Sequence, residues 1–186
     1  VNWYATIVFC NKLSILEGLA PVYSLLGSTD PTTWGKIPNS NNETWNTVTA
    51  DWSANGYRLP TEAEWEYTGR GGNGNYNYTY SGSDTINGVA WYQNNSDNTT
   101  HQVGTKTANE LGFYDMSGNV YEWCWDRYGT YPKEAQIDYR GASSGIDRVA
   151  RGGGWYSVVS ECAVAYRFNI IPGNAEVCVG FRIVRP

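Results

Sequence analysis

Residues that favour turns are spread along the whole chain and interrupt its apolar runs. The 186 residues include 21 glycines, asparagine recurs throughout, and the seven prolines do not mark a linker. Long strands are therefore not expected, and no change in composition divides the chain. A chain of this length buries one sizeable core. We expect a single α+β domain over residues 1–186, with two helices, short antiparallel strands and long loops.

The composition indicates a rigid folded protein and argues against nucleic acid as a partner. Aromatic residues make up 15% of the chain, which favours a packed core over disorder. The net charge is −5 and no run is rich in lysine or arginine, so the sequence lacks the basic segment that would bind a phosphate backbone. No stretch approaches the roughly 20 apolar residues that span a bilayer.

Two segments carry helix signals. Apolar residues recur at helical spacing from about residue 3 to residue 14, and Gly18 follows as a stop signal. Thr61 and Glu64 have the spacing of a capping box, and the helical pattern behind it ends at Gly69. Short strands are predicted over residues 89–92, 120–125, 148–152, 163–168 and 179–184.

Several residue types that often carry chemistry have structural explanations here. The glycine-rich segments 70–74 and 151–154 lack the strand, lysine and helix of a phosphate-binding loop, so tight turns are expected. His101 is the only histidine, which excludes a cluster of histidine ligands, and we interpret it as a surface residue. The cysteines lack metal-finger spacing, and we expect buried free thiols. They are Cys10, Cys124, Cys162 and Cys178.

The segment 111–123 places two carboxylates, Asp115 and Glu122, around a Gly-Asn turn. Backbone carbonyls and both carboxylates can converge there on a hard cation such as calcium. A turn held by Asn119 between core aromatic residues explains the same sequence without a metal. The spacing alone leaves both interpretations open.

Four motifs, in the same order along the chain, resemble the formylglycine-generating, sulfatase-modifying family. They are residues 57–67 (YRLPTEAEWEY), 112–123 (GFYDMSGNVYEW), 148–153 (RVARGG) and 180–182 (GFR). The resemblance covers residues 1–186 and implies the family's version of the C-type lectin fold, with N-terminal strands and a leader expected ahead of this sequence. Fold alone does not give function.

The resemblance also implies where catalysis would occur, and the sequence departs from that pattern. The family's oxidases use a copper-binding cysteine pair after the Arg-Gly-Gly motif, and the two positions correspond to Ser157 and Cys162. A serine replaces neither a soft ligand nor a redox thiol. The related iron-dependent sulfoxide synthases need three histidines. We therefore expect no catalytic residues and no catalytic cofactor. The alternative is an enzyme of this type that pairs Cys162 with Cys178.

A structural calcium ion is the one cofactor that the resemblance implies. The family's second calcium site uses an acidic or amide side chain, two backbone carbonyls and a glutamate. These positions correspond to Asp115, Gly118, Val120 and Glu122.

The chain most resembles a branch of ligand-binding proteins that share this fold, which includes treponemal variable proteins. In that branch a retroelement diversifies the C-terminal stretch by randomising the adenines of asparagine codons, while framework residues stay fixed. Residues 151–186 contain many residue types that such codons produce, whereas Glu161 and Glu176 arise this way only if their template codons differ. The expected ligand-binding residues are Tyr156, Ser157, Val158, Ser160, Tyr166, Phe168, Asn169, Ile170, Ile171, Gly173, Asn174, Val177 and Cys178.

The expected function is non-catalytic binding of a ligand, and this stretch has the composition of a paratope. Residues 168–174 combine apolar side chains with turn formers, which predicts an exposed binding loop. The alternative is that Ile170 and Ile171 pack into the core. We expect a protein ligand rather than a sugar, since no calcium-dependent sugar motif occurs. The branch implies a bacterial outer-membrane lipoprotein whose lipid anchor lies outside this sequence. A purely structural domain of a surface assembly is the third possibility.

Overall fold

The computed structural model describes residues 1–74 and 76–186. Within them, the α-helices are α1 (Trp3–Leu16), α2 (Glu62–Gly69) and the single turn α3 (Ile86–Val89). The strands are β1 (Tyr23–Ser24), β2 (Thr49–Ala50), β3 (Tyr121–Arg127), β4 (Arg148–Arg151), β5 (Arg167–Ile170) and β6 (Val179–Gly180). Short 3-10 helices cover Pro31–Thr33, Trp45–Thr47 and Val159–Cys162. The α+β prediction is confirmed.

Asn2 caps the start of the first helix. The side chain of Asn2 accepts a hydrogen bond from the amide of Ala5 at 2.9 Å, which satisfies one free backbone donor of the first turn. Trp3 and Ile7 are fully buried, whereas Leu16 at the last turn is 82% exposed. The predicted helix over residues 3–14 is confirmed and continues to Leu16. None of the helices in the described residues is long and apolar enough to cross a membrane.

The second helix is fixed at its start by the predicted capping box. The hydroxyl of Thr61 accepts from the amide of Glu64 at 3.2 Å, and the Glu64 carboxylate accepts from the amide of Thr61 at 2.8 Å. Arg58 donates to both oxygens of the same carboxylate, at 2.6 and 2.7 Å. The helix therefore starts at one defined residue, and the predicted end at Gly69 is confirmed.

The main sheet has the strand order β5-β4-β3-β6. Strand β4 pairs antiparallel with both β3 and β5, and β6 pairs parallel with β3. A separate two-stranded sheet joins β1 to β2. Both edge strands of the main sheet come from the C-terminal stretch, so this stretch frames the sheet on two sides.

The strand predictions are confirmed in the sheet centre and are less accurate at its edges. Strands β3 and β4 match the segments predicted at 120–125 and 148–152. The segment predicted at 163–168 starts later, at Arg167, because residues 163–165 form a bend and a turn, and the segment at 179–184 is only two residues long. The strand predicted at 89–92 is wrong: Val89 ends α3, and the amide of Tyr92 donates to the side chain of Asn95 at 2.8 Å in a turn.

Aromatic residues fill the core between α1 and the main sheet. The indole of Trp3 donates to the carbonyl of Cys124 at 2.9 Å, which joins the helix to β3. Tyr23 stacks on Trp125 with ring centroids 5.1 Å apart. The four cysteines are buried and free, as predicted. Burial raises the pKa of the Cys10 thiol to about 12, so this side chain acts as a small apolar residue.

A buried network of charges ties α2 to the sheet. Arg151 of β4 is fully buried and pairs with Glu62 at 3.3 Å and with Glu66. Arg167 of β5 donates to both oxygens of Glu62, at 2.6 and 2.8 Å. A buried carboxylate needs such partners to offset its lost hydration. The network therefore fixes β5, and with it the candidate binding stretch, against the helix.

Candidate functional site

Strand alternation decides which side chains of the C-terminal stretch face outwards. In β5, Phe168 stacks on Tyr121 with centroids 5.0 Å apart, and Ile170 is only 6% exposed. Asn169, between them, is exposed. The prediction of one exposed loop over residues 168–174 is therefore wrong for its first three residues, which pair with β4 as an edge strand. Ile170 packs in the core, whereas Ile171 is 40% exposed.

A concavity of about 470 Å³, here termed the β5 concavity, opens beside this edge strand. It brings together seven of the predicted binding residues, although they come from separate turns and strands of the C-terminal stretch. They are Tyr156, Phe168, Asn169, Ile170, Ile171, Asn174 and Cys178. The remaining lining residues are Asp147, Glu176 and Val179.

The polar groups of the β5 concavity are held in defined positions. The amide side chain of Asn169 donates to the Asp147 carboxylate at 2.5 Å. The thiol of Cys178 lies 3.4 Å from the hydroxyl of Tyr156. This hydrogen bond, followed by burial, raises the pKa of Tyr156 to about 12. Tyr156 therefore presents a neutral hydroxyl and an aromatic face that is 45% exposed.

Two further predicted binding residues, Ser157 and Gly173, are buried, as is Cys178 of the concavity, so these three positions were wrongly expected to be exposed. Ser157 is 1% exposed; its hydroxyl accepts from the amide of Gly154 at 3.0 Å and donates to the Tyr121 hydroxyl at 3.2 Å. A Cβ on Gly173 would lie 2.2 Å from the carbonyl of Ser40, so only glycine fits. Cys178 is 3% exposed. These residues lie beneath the surface: the side chains of Ser157 and Cys178 make internal hydrogen bonds, and Gly173 packs against the backbone of Ser40.

The other predicted residues lie outside the β5 concavity. Val158 and Ser160 line a second concavity of about 630 Å³, beside Gln93 and Asn94. Val177 is 81% exposed. Tyr166 is half-buried, and its backbone carbonyl accepts a hydrogen bond from Arg151. The predicted set thus extends beyond the β5 concavity.

The thiols considered for catalysis lie in different parts of the core. Cys162 packs with Tyr80 and Val89, whereas Cys178 belongs to the cluster between α1 and the sheet. Burial raises the pKa of Cys162 to about 12, so the thiolate that would bind copper or attack a disulfide is disfavoured.

Of the two carboxylates in the expected calcium site, one has an oxygen atom that is free to bind a cation. Asp115 accepts from the amide of Gly104 at 2.8 Å through Oδ2, and its Oδ1 is buried without a hydrogen-bond partner. Both oxygens of Glu122 accept from Arg182, at 2.5 and 2.6 Å, and Oε2 also accepts from the indole of Trp65 at 2.7 Å. Asp115, Val120 and Glu122 line one concavity of about 430 Å³. Asp115 therefore has an oxygen available for calcium, while Glu122 is largely satisfied; the site stays a prediction.

The turn beside this site is held by Asn119. Its side chain accepts from the amide of His101 at 3.1 Å and donates to the carbonyl of the same residue at 3.2 Å. His101 is half-buried and stacks on Trp91 with ring centroids 3.8 Å apart, so its interpretation as a plain surface residue is wrong. The histidine is a packing partner of this turn.

Sequence reasoning missed Asp147 as a site residue because it precedes the stretch 151–186. The antiparallel pairing of Val149 with Asn169 brings the start of β4 beside β5. Strands were predicted at 148–152 and 163–168, but the sequence did not show that these two segments pair. Knowing that pairing would have located Asp147 at the site.

The sulfatase-modifying factor enzyme 1-like domain matches the chain over residues 1–186, and the chain belongs to this family. Treponema denticola variable protein 1 has a similar structure, with a TM-score of 0.92 and 42% identity over 100% of this chain and 70% of that chain. The chaperone protein LppX of Paenibacillus barcinonensis is 39% identical over 203 residues, which cover 100% of this chain and 68% of LppX. The formylglycine-generating enzyme of Streptomyces coelicolor is 33% identical over 156 residues, covering 74% of this chain and 49% of the enzyme. The expected family and its fold are confirmed.

Proposed function

We propose that the chain is a non-catalytic binding protein whose β5 concavity receives a ligand while the rest of the lectin-type domain serves as a fixed scaffold. The main support is that seven of the predicted binding residues, dispersed over residues 156–178, line this one concavity, and five of them are exposed or half-buried. The likeness to a treponemal variable protein, at 42% identity over the whole of this chain, supports the same function.

The exposed residues of the concavity suit diversification because the fold does not depend on their side chains. Tyr156 and Ile171 are 45% and 40% exposed, and substitutions at such positions usually change stability by about 0.5 kcal/mol or less. Aromatic and branched side chains would act as anchors, and Asn169 and Asn174 as adaptable hydrogen-bonding groups. The single domain over 1–186 would thus carry its variable surface within residues 151–186.

Comparing gene copies from related clones tests this function. Differences are expected at Tyr156, Asn169, Ile171, Asn174 and Val177. The buried residues of the same stretch should stay constant, and they are Ser157, Ile170 and Gly173. Copies that differ equally in both groups would contradict a diversified surface. Copies that never differ would favour a purely structural domain.

An oxidase function is the second candidate, because formylglycine-generating enzymes belong to the same family and one is 33% identical over 156 residues. Oxygen uptake on a cysteine-containing peptide with cuprous ion tests it, with the Streptomyces coelicolor enzyme as positive control. We expect no uptake, since Ser157 stands where the family has a cysteine and Cys162 is buried. Uptake that disappears in Cys162→Ser would replace the binding function by an oxidase function.

We further propose that the protein is displayed on the bacterial surface as a lipoprotein. The support is its similarity to the variable-protein branch and to LppX. Protease treatment of intact cells that express the full gene tests the location. Complete protection of the domain, with degradation after lysis, would exclude surface display.

A further inference from the structure

The β5 concavity has an acidic lining. Asp147 and Glu176 both face it, and no lysine or arginine is found among the described residues that line it. Arg148, next to Asp147 in sequence, is buried and lies 3.8 Å from the Trp3 ring centre, within the core. The concavity therefore attracts cations.

The same concavity offers apolar contact area. Tyr156 and Ile171 are partly exposed, and Phe168 lies half-buried between the core and the surface. The volume of about 470 Å³ falls in the range of about 300–1,000 Å³ that ligand sites occupy. A long cationic side chain suits such a surface, because its aliphatic stem packs on aromatic rings while its charged end meets a carboxylate.

The acidic residues lie outside the set that diversification would change. Glu176 does not arise from an asparagine template codon by changes of adenine and needs a different template codon, and Asp147 precedes the variable stretch. The preference for a positively charged ligand would accordingly come from fixed residues of the scaffold. The preference for a ligand of a certain shape would come from Tyr156, Phe168 and Ile171. Sister copies would then share a demand for positive charge while differing in the apolar side chains that they accept.

We infer that the partner is a protein surface that inserts a lysine or arginine side chain, next to an apolar side chain, into the β5 concavity. This inference rests on the proposed function of the concavity and names the chemistry of its ligand. The cation lies between Asp147 and Glu176, and the apolar neighbour packs on Tyr156 and Ile171. Charge complementarity of this kind gives specificity and a salt-dependent association rate.

Selection from a random 12-residue peptide phage library against the immobilised protein tests the inference. We expect the selected peptides to carry lysine or arginine beside leucine, isoleucine or an aromatic residue. In fluorescence anisotropy, their affinity should fall about tenfold in Asp147→Asn/Glu176→Gln, a change that keeps the acceptor for Asn169. The matched control is Glu110→Gln/Glu134→Gln, which removes the same charge from exposed positions outside the concavity and should leave the affinity unchanged.

A second pair of variants separates the inference from the proposed function. Tyr156→Ser/Ile171→Ser should abolish binding of the same peptides. Peptides that need Tyr156 and Ile171 but carry no positive charge would overturn the inference and leave the proposed function in place. Peptides that bind equally to both double variants, or a selection that yields none, would overturn both. Circular dichroism confirms that each variant is folded.

Discussion

At the scale of single residues, Ile170 and Ile171 form a natural experiment. They are adjacent and chemically identical, yet Ile170 is 6% exposed and Ile171 is 40% exposed. Ile170→Ala should lower the free energy of unfolding by about 2–4 kcal/mol, because it leaves a cavity in the core. Ile171→Ala should lower it by less than about 1 kcal/mol. Urea denaturation measures both, and equal losses would show that Ile171 also belongs to the core.

Asp126 should make the stability of the fold depend on pH. Its carboxyl group is fully buried, and Oδ1 has no hydrogen-bond partner. Burial raises its pKa from 3.8 to about 7, so the folded protein holds a proton that the unfolded chain releases between these values. Stability contributed by this group is therefore complete below about pH 4 and is lost as the pH rises towards 7.

Asp126→Asn tests this expectation, because an amide keeps the acceptor for the backbone amide of Glu62 and cannot ionise. Between pH 4 and pH 7 the parent should lose up to about 4 kcal/mol through this group, and the variant should not. Urea denaturation over that range, on both proteins, gives the difference. Parallel pH profiles would mean that the folded and unfolded states bind this proton equally.

At the scale of secondary-structure elements, Arg151 holds α2 on the sheet. Arg151→Met should cost about 3–5 kcal/mol of unfolding free energy, since it leaves the buried Glu62 with one arginine fewer. Arg70→Met is the matched control: Arg70 also pairs with Glu66, but its side chain is 40% exposed. That change should cost less than about 1 kcal/mol. Similar thermal shifts in the two variants would contradict the structural role given to the buried network.

The helices were predictable from sequence because their signals are local. Thr61 and Glu64 are three residues apart, and their hydrogen bonds fix where α2 starts whatever the rest of the chain does. The edge strand β5 was located only in part, by the segment predicted at 163–168, since its alternation is imposed by pairing with β4 and not by a strong pattern of its own. For the same reason the sequence identified most residues of the β5 concavity but placed Ile170 on the surface and missed Asp147.

At the scale of the whole molecule, a calcium ion at Asp115 would stabilise the fold by mass action. At a concentration one hundred times its Kd, a bound ion adds about 2.7 kcal/mol. Calcium should therefore raise the melting temperature of the chelator-treated protein, and Asp115→Gly, which removes the side-chain ligand and tolerates the positive φ of this position, should remove this response. Magnesium, which demands a stricter geometry, is the control ion and should act more weakly. A melting temperature that is the same with calcium and with chelator would exclude the site.

The stability of the whole domain also determines whether it can tolerate a surface that varies. A domain is stable by roughly 5–15 kcal/mol, so a surface that changes from copy to copy must contribute little to that total. Replacing Tyr156, Asn169, Ile171 and Val177 together by serine should lower the free energy of unfolding by less than about 2 kcal/mol, since each side chain faces solvent.

The matched set consists of Ser157→Val and Gly173→Ala, two buried positions of the same stretch. Ser157→Val leaves the Tyr121 hydroxyl and the Gly154 amide without their partner, and Gly173→Ala forces a methyl group against Ser40. Together they should lower the free energy of unfolding by about 3 kcal/mol or more, although they change fewer side chains. Urea denaturation of both sets decides the matter. If the four surface changes cost as much as the two buried ones, the concavity is part of the folding core, and diversification of it would destroy the scaffold that displays it.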